Sequence, residues 1–289
     1  MIRGLCRTRL TEALYRLVIA KHSLPRLGRR PALAVGHKEV TELHHALSAK
    51  PVMANHVVDL LSRIYNLAED RGQIPEMSNP CRSVAKNRER RRERFLTDEE
   101  FRRLGRVLDE AESCKGVSVH AVAAIRLLLL TGCRKGEILN LRWSEVDLEA
   151  GELNVPDTKT GPRTITLSPE GASVLSRIPR LADNPFVIPG KLRGKAMRNL
   201  NDPWDIICER AGLEDMRLHD CRHSYASRAL ALGESLPMIG RLLGHTQVET
   251  TARYAHLAKD SVHDSAVRVS DSIAADIFAK DRTAAGANA

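Results

Sequence analysis

The sequence predicts a mainly α-helical protein with one small antiparallel β-sheet, divided into two domains. A chain of 289 residues is long enough for two cores of ordinary size. Apolar residues recur at steps of three and four along most of it, which is typical of helices. Residues 152–168 instead alternate and are rich in β-branched side chains, which favours a hairpin. A basic run between two helical regions marks the domain boundary.

The N-terminal region predicts a helical domain over residues 1–93. In residues 52–72 an apolar stripe recurs at helical steps, and Gly72 follows it where a C-cap glycine belongs. Tyr65 lies within this pattern, so we interpret it as a packing residue. A shorter helix is marked by Val40, Leu43 and Leu47. The chain's first twenty residues fit an opening helix poorly, and we expect this domain to be truncated at its N-terminus.

Residues 82–94 interrupt the pattern, with seven Lys or Arg against two Glu and no apolar periodicity. Such a run is typical of a solvated connector. An alternative is a basic strap that lies along a phosphate backbone. Under that second interpretation, the DNA-contacting residues are Arg88, Arg90, Arg91 and Arg92.

The C-terminal domain is predicted over residues 94–280, followed by a disordered tail at 281–289. It opens with a capping box made by Thr97 and Glu100. A buried-looking helix, "VHAVAAIRLLLL", then ends at Gly132, and a hairpin turns at residues 159–161. Further helices are predicted at about 169–179, 199–211, 217–232, 237–243, 247–256 and 261–279. For the helix at 247–256, Thr246 and Glu249 would form a second capping box.

Bulk composition favours a nucleic-acid partner and gives no sign of a membrane or disulfide protein. The formal net charge is +9 and the isoelectric point about 9.5. The six cysteines form no CxxC pair, which fits a reducing compartment. No apolar run approaches the roughly 20 residues that a membrane span needs. We therefore expect a cytoplasmic protein.

Two short stretches bring charged side chains together. In "TGCRKGEIL", Arg134 follows an apolar helix, so it either binds an anion or pairs with Glu137 as a structural ion pair. In "LHDCRHSYAS", residues His219, Arg222 and His223 share one helix face. Two histidines at this spacing could bind zinc, although Arg222 on the same face opposes a cation. A purely structural histidine pair is the other alternative.

Tyr254 stands nine residues after His245 in "LLGHTQVETTARYAHL", in a chain with only four tyrosines. A tyrosine on a short helix is usually part of a core. As a nucleophile it would need a strongly polarised electrophile, because ionising a phenol at neutral pH costs roughly 4 kcal/mol. A phosphodiester held by two arginines provides one, since guanidinium forks match phosphate geometry.

Taken in order, these stretches resemble the tyrosine recombinase, or phage integrase, family. The resemblance covers residues 97–257 and extends through "AKPVMANHVVDLLSRIYNLAEDRGQIPEMSNPCRSV", which is similar to the helical core-binding domain of prophage-type integrases. It implies a catalytic domain in which Tyr254 attacks a DNA phosphate to form a 3′-phosphotyrosine bond. The implied catalytic residues are Arg134, Lys159, His219, Arg222, His245 and Tyr254.

The resemblance also implies a role for each of these residues. Arg134 and Arg222 would hold the scissile phosphate, and His219 and His245 would assist by hydrogen bonding and proton transfer. Lys159, on the hairpin turn, would protonate the leaving 5′ oxygen. Glu137 would support Arg134 from outside the site, and Tyr225 would pack behind the Arg222 helix.

The implied partners are double-stranded DNA and further copies of the chain, as a homotetramer on two DNA sites, with an accessory DNA-bending or directionality protein. The resemblance implies no cofactor and no metal, and a bacterial location at the nucleoid. The helix at 261–279 either packs on its own domain or, as the resemblance implies, docks onto a neighbouring subunit. Two other functions stay open. One is a degenerate integrase that binds DNA without completing recombination, and the other is relaxation of DNA in the manner of a type IB topoisomerase.

Overall fold

The computed structural model describes residues 9–89, 93–113, 116–156, 161–245, 247–255 and 259–277. The chain forms two compact units, which divide between residues 92 and 93. Their helices and single small sheet confirm the predicted fold class. No helix within the described ranges is long and apolar enough to span a membrane.

Within its described residues, the first unit is a helical bundle. Its helices are α1 (Arg9–Val18), α2 (Leu24–Leu27), α3 (His37–Ala46) and α4 (Pro51–Asp70), with a π-helical turn at Ile19–Ser23. Val57 and Leu60 of α4 pack against Val40 and Leu43 of α3 in one buried cluster. Tyr65 belongs to this cluster and donates its hydroxyl proton to the carbonyl of Ala32 at 3.0 Å, which confirms its packing role.

Several basic side chains of the run at 82–94 are paired with carboxylates. Arg82 contacts Glu69 at 2.5 Å, and Lys86 contacts Asp59 at 2.7 Å. In the second unit, both end nitrogens of Arg94 reach the carboxylate of Glu100. Arg88 is exposed to solvent, and Arg90, Arg91 and Arg92 lie outside the described residues.

The second unit is built around one buried helix. Helices α5 (Asp98–Ser113), α6 (Val119–Thr131) and α7 (Lys135–Leu139) open it, and Thr97 and Glu100 form the predicted capping box before α5. Helix α6 is mostly apolar and largely buried, as expected for a helix packed on several neighbours. It ends at Gly132, whose left-handed φ of 63° makes it the predicted stop.

The sheet has three antiparallel strands in the order β1 (Val146–Asp147), β2 (Glu152–Val155) and β3 (Arg163–Thr166). Leu153 pairs with Ile165 in the register of β2 and β3, and both face the core. Strands β2 and β3 are the arms of the predicted hairpin. Residues 157–160 of its turn, which include Lys159, lie outside the described residues.

The remaining helices follow the predicted order. They are α8 (Pro169–Arg177), α9 (Asn201–Ala211), α10 (Leu218–Ala231), α11 (Leu236–Leu243), α12 (Val248–Ala252) and α13 (Lys259–Ile277). The predicted helix at 247–256 is wrong in extent, because α12 ends at Ala252 and Tyr254 lies in the turn after it. Gln247 is the N-cap of α12, and Thr246 lies outside the described residues, so the second predicted capping box has no support.

Candidate active site

Glu137 joins two arginines from different elements. Its Oε1 accepts a hydrogen bond from Arg134 Nη1 at 2.8 Å, and its Oε2 accepts one from Arg163 Nη2 at 3.0 Å. Oε2 also accepts from the backbone N–H of Arg134, because Glu137 is the N3 residue of α7. The carboxylate is buried, and one carboxylate between two guanidiniums leaves a net positive charge.

Both predicted phosphate-binding arginines donate hydrogen bonds to backbone carbonyls at the end of α11 and in the turn after it. Arg222 Nη2 donates to the carbonyl of Leu243 at 2.7 Å, and Arg134 Nη2 donates to the next carbonyl, that of Gly244, at 3.1 Å. Arg222 Nη1 donates to the carbonyl of Gly132 at 2.8 Å. These bonds bring the two guanidiniums to neighbouring backbone positions although residues 134 and 222 are far apart in sequence.

Arg163 lies against the same turn. Its Nη1 is 3.5 Å from the carbonyl of Leu242, and a Cβ on Gly244 would overlap its guanidinium. Its Nε is buried and has no hydrogen-bond partner among the described residues. Gly244 therefore allows a third arginine, from β3, to approach the paired arginines.

The two predicted histidines experience this positive charge. Burial lowers the pKa of His245 to about 4, and Arg222 and Arg134 add to the effect. His245 is therefore neutral at neutral pH, and its Nδ1 lies 2.8 Å from Thr251 Oγ1. Burial, followed by Arg222, also lowers the pKa of His219. For Arg222, burial and Arg134 lower the pKa to about 10, so the guanidinium stays charged.

Tyr254 is buried, and its hydroxyl is hydrogen-bonded to a histidine. The ring packs in a small apolar cluster formed by α10 and α11, with Leu230, Ile239 and Leu243 among its members. The hydroxyl lies 2.6 Å from Nδ1 of His223. Burial raises the pKa of Tyr254, whereas Arg253 and Arg222 act to lower it, so the phenol is protonated at neutral pH.

The structure therefore groups most of the predicted residues around α10 and the turn after α11. Arg134, Arg222 and His245 meet at that turn, and His219 stacks edge-on against His223 with ring centroids 4.9 Å apart. Tyr254 joins the group through His223. Lys159 lies outside the described residues. Tyr225 packs against Gly132 and the same apolar cluster, as predicted.

Two residues of this group are not assigned a role by the sequence pattern. The pattern presents His223 only as half of a histidine pair, and its contact with Tyr254 spans 31 positions. Arg163 does not stand out, because one arginine in an alternating strand is normally solvated. The sequence indicates Arg163 only indirectly, because it lies on the hairpin arm that follows the turn with Lys159.

The zinc alternative finds no ligand set here. No group of three His, Cys, Asp or Glu side chains that could hold a metal ion occurs in the part of the chain that the structure describes. Cys81, Cys133, Cys208 and Cys221 are buried free thiols. The histidine pair of α10 instead faces arginines and a tyrosine.

Comparison with known proteins identifies the family to which the chain belongs. The model of the phage integrase family matches residues 94–261, which is more than half of the chain. The shufflon-specific DNA recombinase of Escherichia coli is 32% identical over 216 residues, which cover 73% of this chain and 53% of that protein. The integrase of Salmonella phage P22 is 27% identical over 198 residues, covering 63% and 48%.

Solved structures show the same fold. The Tn1549 transposon integrase in complex with transposon right end DNA matches with a TM-score of 0.73 and 20% identity, covering 93% of this chain and 96% of that one. A lambda integrase dimer bound to a core site matches with a TM-score of 0.69 and 19% identity, covering 86% and 92%. The chain belongs to the phage integrase family of tyrosine recombinases. It spans about half the length of the first curated relatives that it matches.

Proposed function

We propose that this protein is a site-specific DNA recombinase that cleaves and rejoins DNA through a 3′-phosphotyrosine bond at Tyr254. The observation that carries the proposal is the pairing of Arg134 and Arg222 on neighbouring carbonyls, with the Tyr254 hydroxyl bound to the residue after Arg222. Two fixed guanidiniums beside a tyrosine suit a reaction in which negative charge builds on phosphate oxygens.

The chemistry divides among the predicted residues. The phenol oxygen attacks phosphorus as its proton passes to a neutral histidine of the site, and the bond from phosphorus to the 5′ oxygen breaks. Arg134 and Arg222 stabilise the charge on the non-bridging oxygens, and Glu137 holds Arg134 in place. Neutral His219 and His245 donate hydrogen bonds to the phosphate. Lys159 supplies the proton that the leaving 5′ oxygen takes up, and the covalent bond retains the energy for religation.

We further propose that the reaction needs no metal ion. The charge that a metal would neutralise is met by two arginines, whose guanidiniums stay protonated at any pH near neutral. Strand cleavage should therefore proceed in the presence of a chelator.

The proposed partners are double-stranded DNA and further copies of this chain. Lambda integrase, a structural relative, has been solved as a tetramer bound to a Holliday junction, with a TM-score of 0.68. A homotetramer on two DNA sites is the corresponding assembly for this chain, with an accessory DNA-bending or directionality protein setting the outcome. The run of Arg88, Arg90, Arg91 and Arg92 is proposed to contact the DNA backbone.

A covalent-adduct assay tests the activity. The protein is incubated, with chelator, with DNA that carries its attachment site and a nick just beyond the cleavage position, so that the cut end is lost and religation is blocked. We expect a protein–DNA adduct that survives denaturant. Tyr254→Phe should abolish the adduct, because the nucleophilic oxygen is gone, while DNA affinity stays nearly unchanged.

The arginines provide the second arm of the experiment. Arg134→Lys keeps the charge but removes the fork, and should lower the rate of adduct formation by about 10²-fold or more. Wild-type protein that binds the site tightly but forms no adduct would indicate the degenerate, binding-only alternative. An adduct formed by Tyr254→Phe would contradict the assignment of the nucleophile.

A further inference from the structure

We propose that His223 is a positioning residue for the reaction, because its Nδ1 accepts the hydrogen bond of the Tyr254 hydroxyl and fixes that oxygen relative to Arg222. This inference rests on the proposed function. It adds a residue that is absent from the predicted catalytic set. It also means that α10 positions both the phosphate-binding Arg222 and the nucleophile Tyr254.

The hydrogen bond between Tyr254 and His223 has a definite direction. Tyr254 is 5% exposed, and a buried hydroxyl must have an acceptor for its proton. Nδ1 of His223 lies 2.6 Å from the hydroxyl oxygen. Because burial lowers the pKa of His223 to about 4, its imidazole is neutral and carries one lone-pair nitrogen. The phenol therefore donates to Nδ1, and the imidazole proton lies on Nε2.

The contact between His223 and Tyr254 has a fixed location. His223 follows Arg222 directly on α10, so the backbone that carries one side chain carries the other. Arg222 is bonded to the carbonyls of Gly132 and Leu243, which belong to two other segments. These bonds fix α10 beside the turn after α11. His223, and with it the phenol oxygen, is held at one position relative to the guanidinium of Arg222.

Apolar packing and a backbone hydrogen bond hold the rest of Tyr254. Its ring packs in the apolar cluster with Ala226, Leu230 and Ile239, and its backbone N–H donates to the carbonyl of Thr251 at 3.0 Å. Tyr254 lies in the turn after α12. Because the hydroxyl oxygen is rigidly attached to the ring, apolar packing and the hydrogen bond to His223 together set its position.

Substitution of His223 separates positioning from mere structure. His223→Phe fills the space but removes the acceptor, which leaves a buried hydroxyl unsatisfied, so the oxygen should shift. His223→Asn places an amide oxygen close to the former site of Nδ1. Since a misplacement of about 1 Å can cost about 10²-fold in rate, we expect His223→Phe to slow adduct formation by about that factor. We expect His223→Asn to recover most of the loss.

The controls use the same suicide substrate. His120 is a histidine of the same unit, and the hydrogen bond described for its ring is to the carbonyl of Pro179. His120→Ala should therefore leave the adduct rate unchanged. DNA affinity and unfolding midpoints are measured for every variant. A wild-type rate in His223→Phe would overturn the proposal, and so would a faster rate, which would mean that the contact restrains the tyrosine. His223→Asn that is folded but as slow as His223→Phe would also overturn it.

A second readout does not depend on activity. With ¹³C-labelled tyrosine, the Cζ resonance of Tyr254 is assigned from Tyr254→Phe among the four tyrosines of the chain. It should move in His223→Phe and much less in His223→Asn. An unchanged resonance in His223→Phe would refute the hydrogen bond itself. If the resonance moves but the wild type forms no adduct, the proposed function is wrong. The positioning role is then wrong too, although the hydrogen bond between His223 and Tyr254 is confirmed.

Discussion

His245 illustrates how a residue's charge state follows from its surroundings. Burial has the largest effect on its pKa, and four arginines lower it further, namely Arg222, Arg134, Arg163 and Arg253. The resulting value of about 4 lies well below the ordinary value of 6.5. In the unfolded chain the same histidine binds a proton near its ordinary pKa. Between these two values, the unfolded state binds more protons than the folded state, so acid favours unfolding.

This difference predicts how stability depends on pH. The contribution of His245 is fully present above about pH 6.5 and is lost as the pH falls towards about 4. We therefore expect the free energy of unfolding, measured with denaturant, to be lower at about pH 5 than at about pH 7. His245→Gln should show a smaller decrease, because it removes one of the depressed groups, whereas His219 and His223 still titrate. An equal decrease in the free energy of unfolding in both proteins would contradict burial of His245 against the arginines.

Some site residues could be predicted from the sequence because their evidence is local. Arg134 follows a helix stop and Arg222 shares a face with His219, and both patterns are visible within a few positions. His223 and Arg163 could not be assigned in this way. Their partners are Tyr254, which is 31 positions from His223, and Glu137, which is 26 positions from Arg163. Only tertiary packing brings such pairs together.

At the scale of elements, the end of α6 connects core packing to the site. Gly132 has a left-handed backbone with φ of 63°, and its carbonyl accepts the bond from Arg222. A Cβ at this position would lie 2.6 Å from Tyr225 Cδ1 and 3.0 Å from Leu243 Cδ2. The glycine that the sequence pattern predicts as a helix stop thus also permits close approach of α10 and α11.

A matched pair of glycine variants separates these two effects. Gly212 ends α9 with nearly the same φ, 61°, but a Cβ at that position would meet no heavy atom of another segment within 4 Å. Gly212→Ala should cost about 1–2 kcal/mol of unfolding free energy from backbone strain alone. Gly132→Ala should cost about 1–3 kcal/mol more, because of overpacking, and should slow adduct formation by displacing Arg222. Equal losses, measured by denaturant unfolding, would exclude a packing role for Gly132.

Element boundaries are predictable where a capping residue marks them and poorly predictable elsewhere. The capping box of Thr97 and Glu100 and the stop at Gly132 are found as predicted. The predicted helix around Tyr254 is too long, because apolar and small residues continue past its true end at Ala252. The turn that follows is set by contacts of Tyr254 with α10 and α11, which the local pattern does not contain.

At the scale of the whole molecule, the surplus of positive charge should govern DNA affinity. The net charge is +9, and three basic side chains of the run at 82–94 already face carboxylates. Arg82 is paired with Glu69 and Lys86 with Asp59, so each should attract a phosphate less strongly than an unpaired cation would. The strap interpretation therefore depends on Arg88 and on the three arginines at 90–92.

Salt titration distinguishes the strap from a simple connector. Each neutralised phosphate adds about 0.9 to the slope of log affinity against log salt concentration. Replacing Arg88, Arg90, Arg91 and Arg92 with Ala should lower that slope by about 3–4, measured by fluorescence anisotropy with duplex DNA. The double variant Arg82→Ala, Lys86→Ala is the control and should change it much less, because each side chain already has a carboxylate partner. An unchanged slope in the fourfold variant would mean that the run only connects the two units.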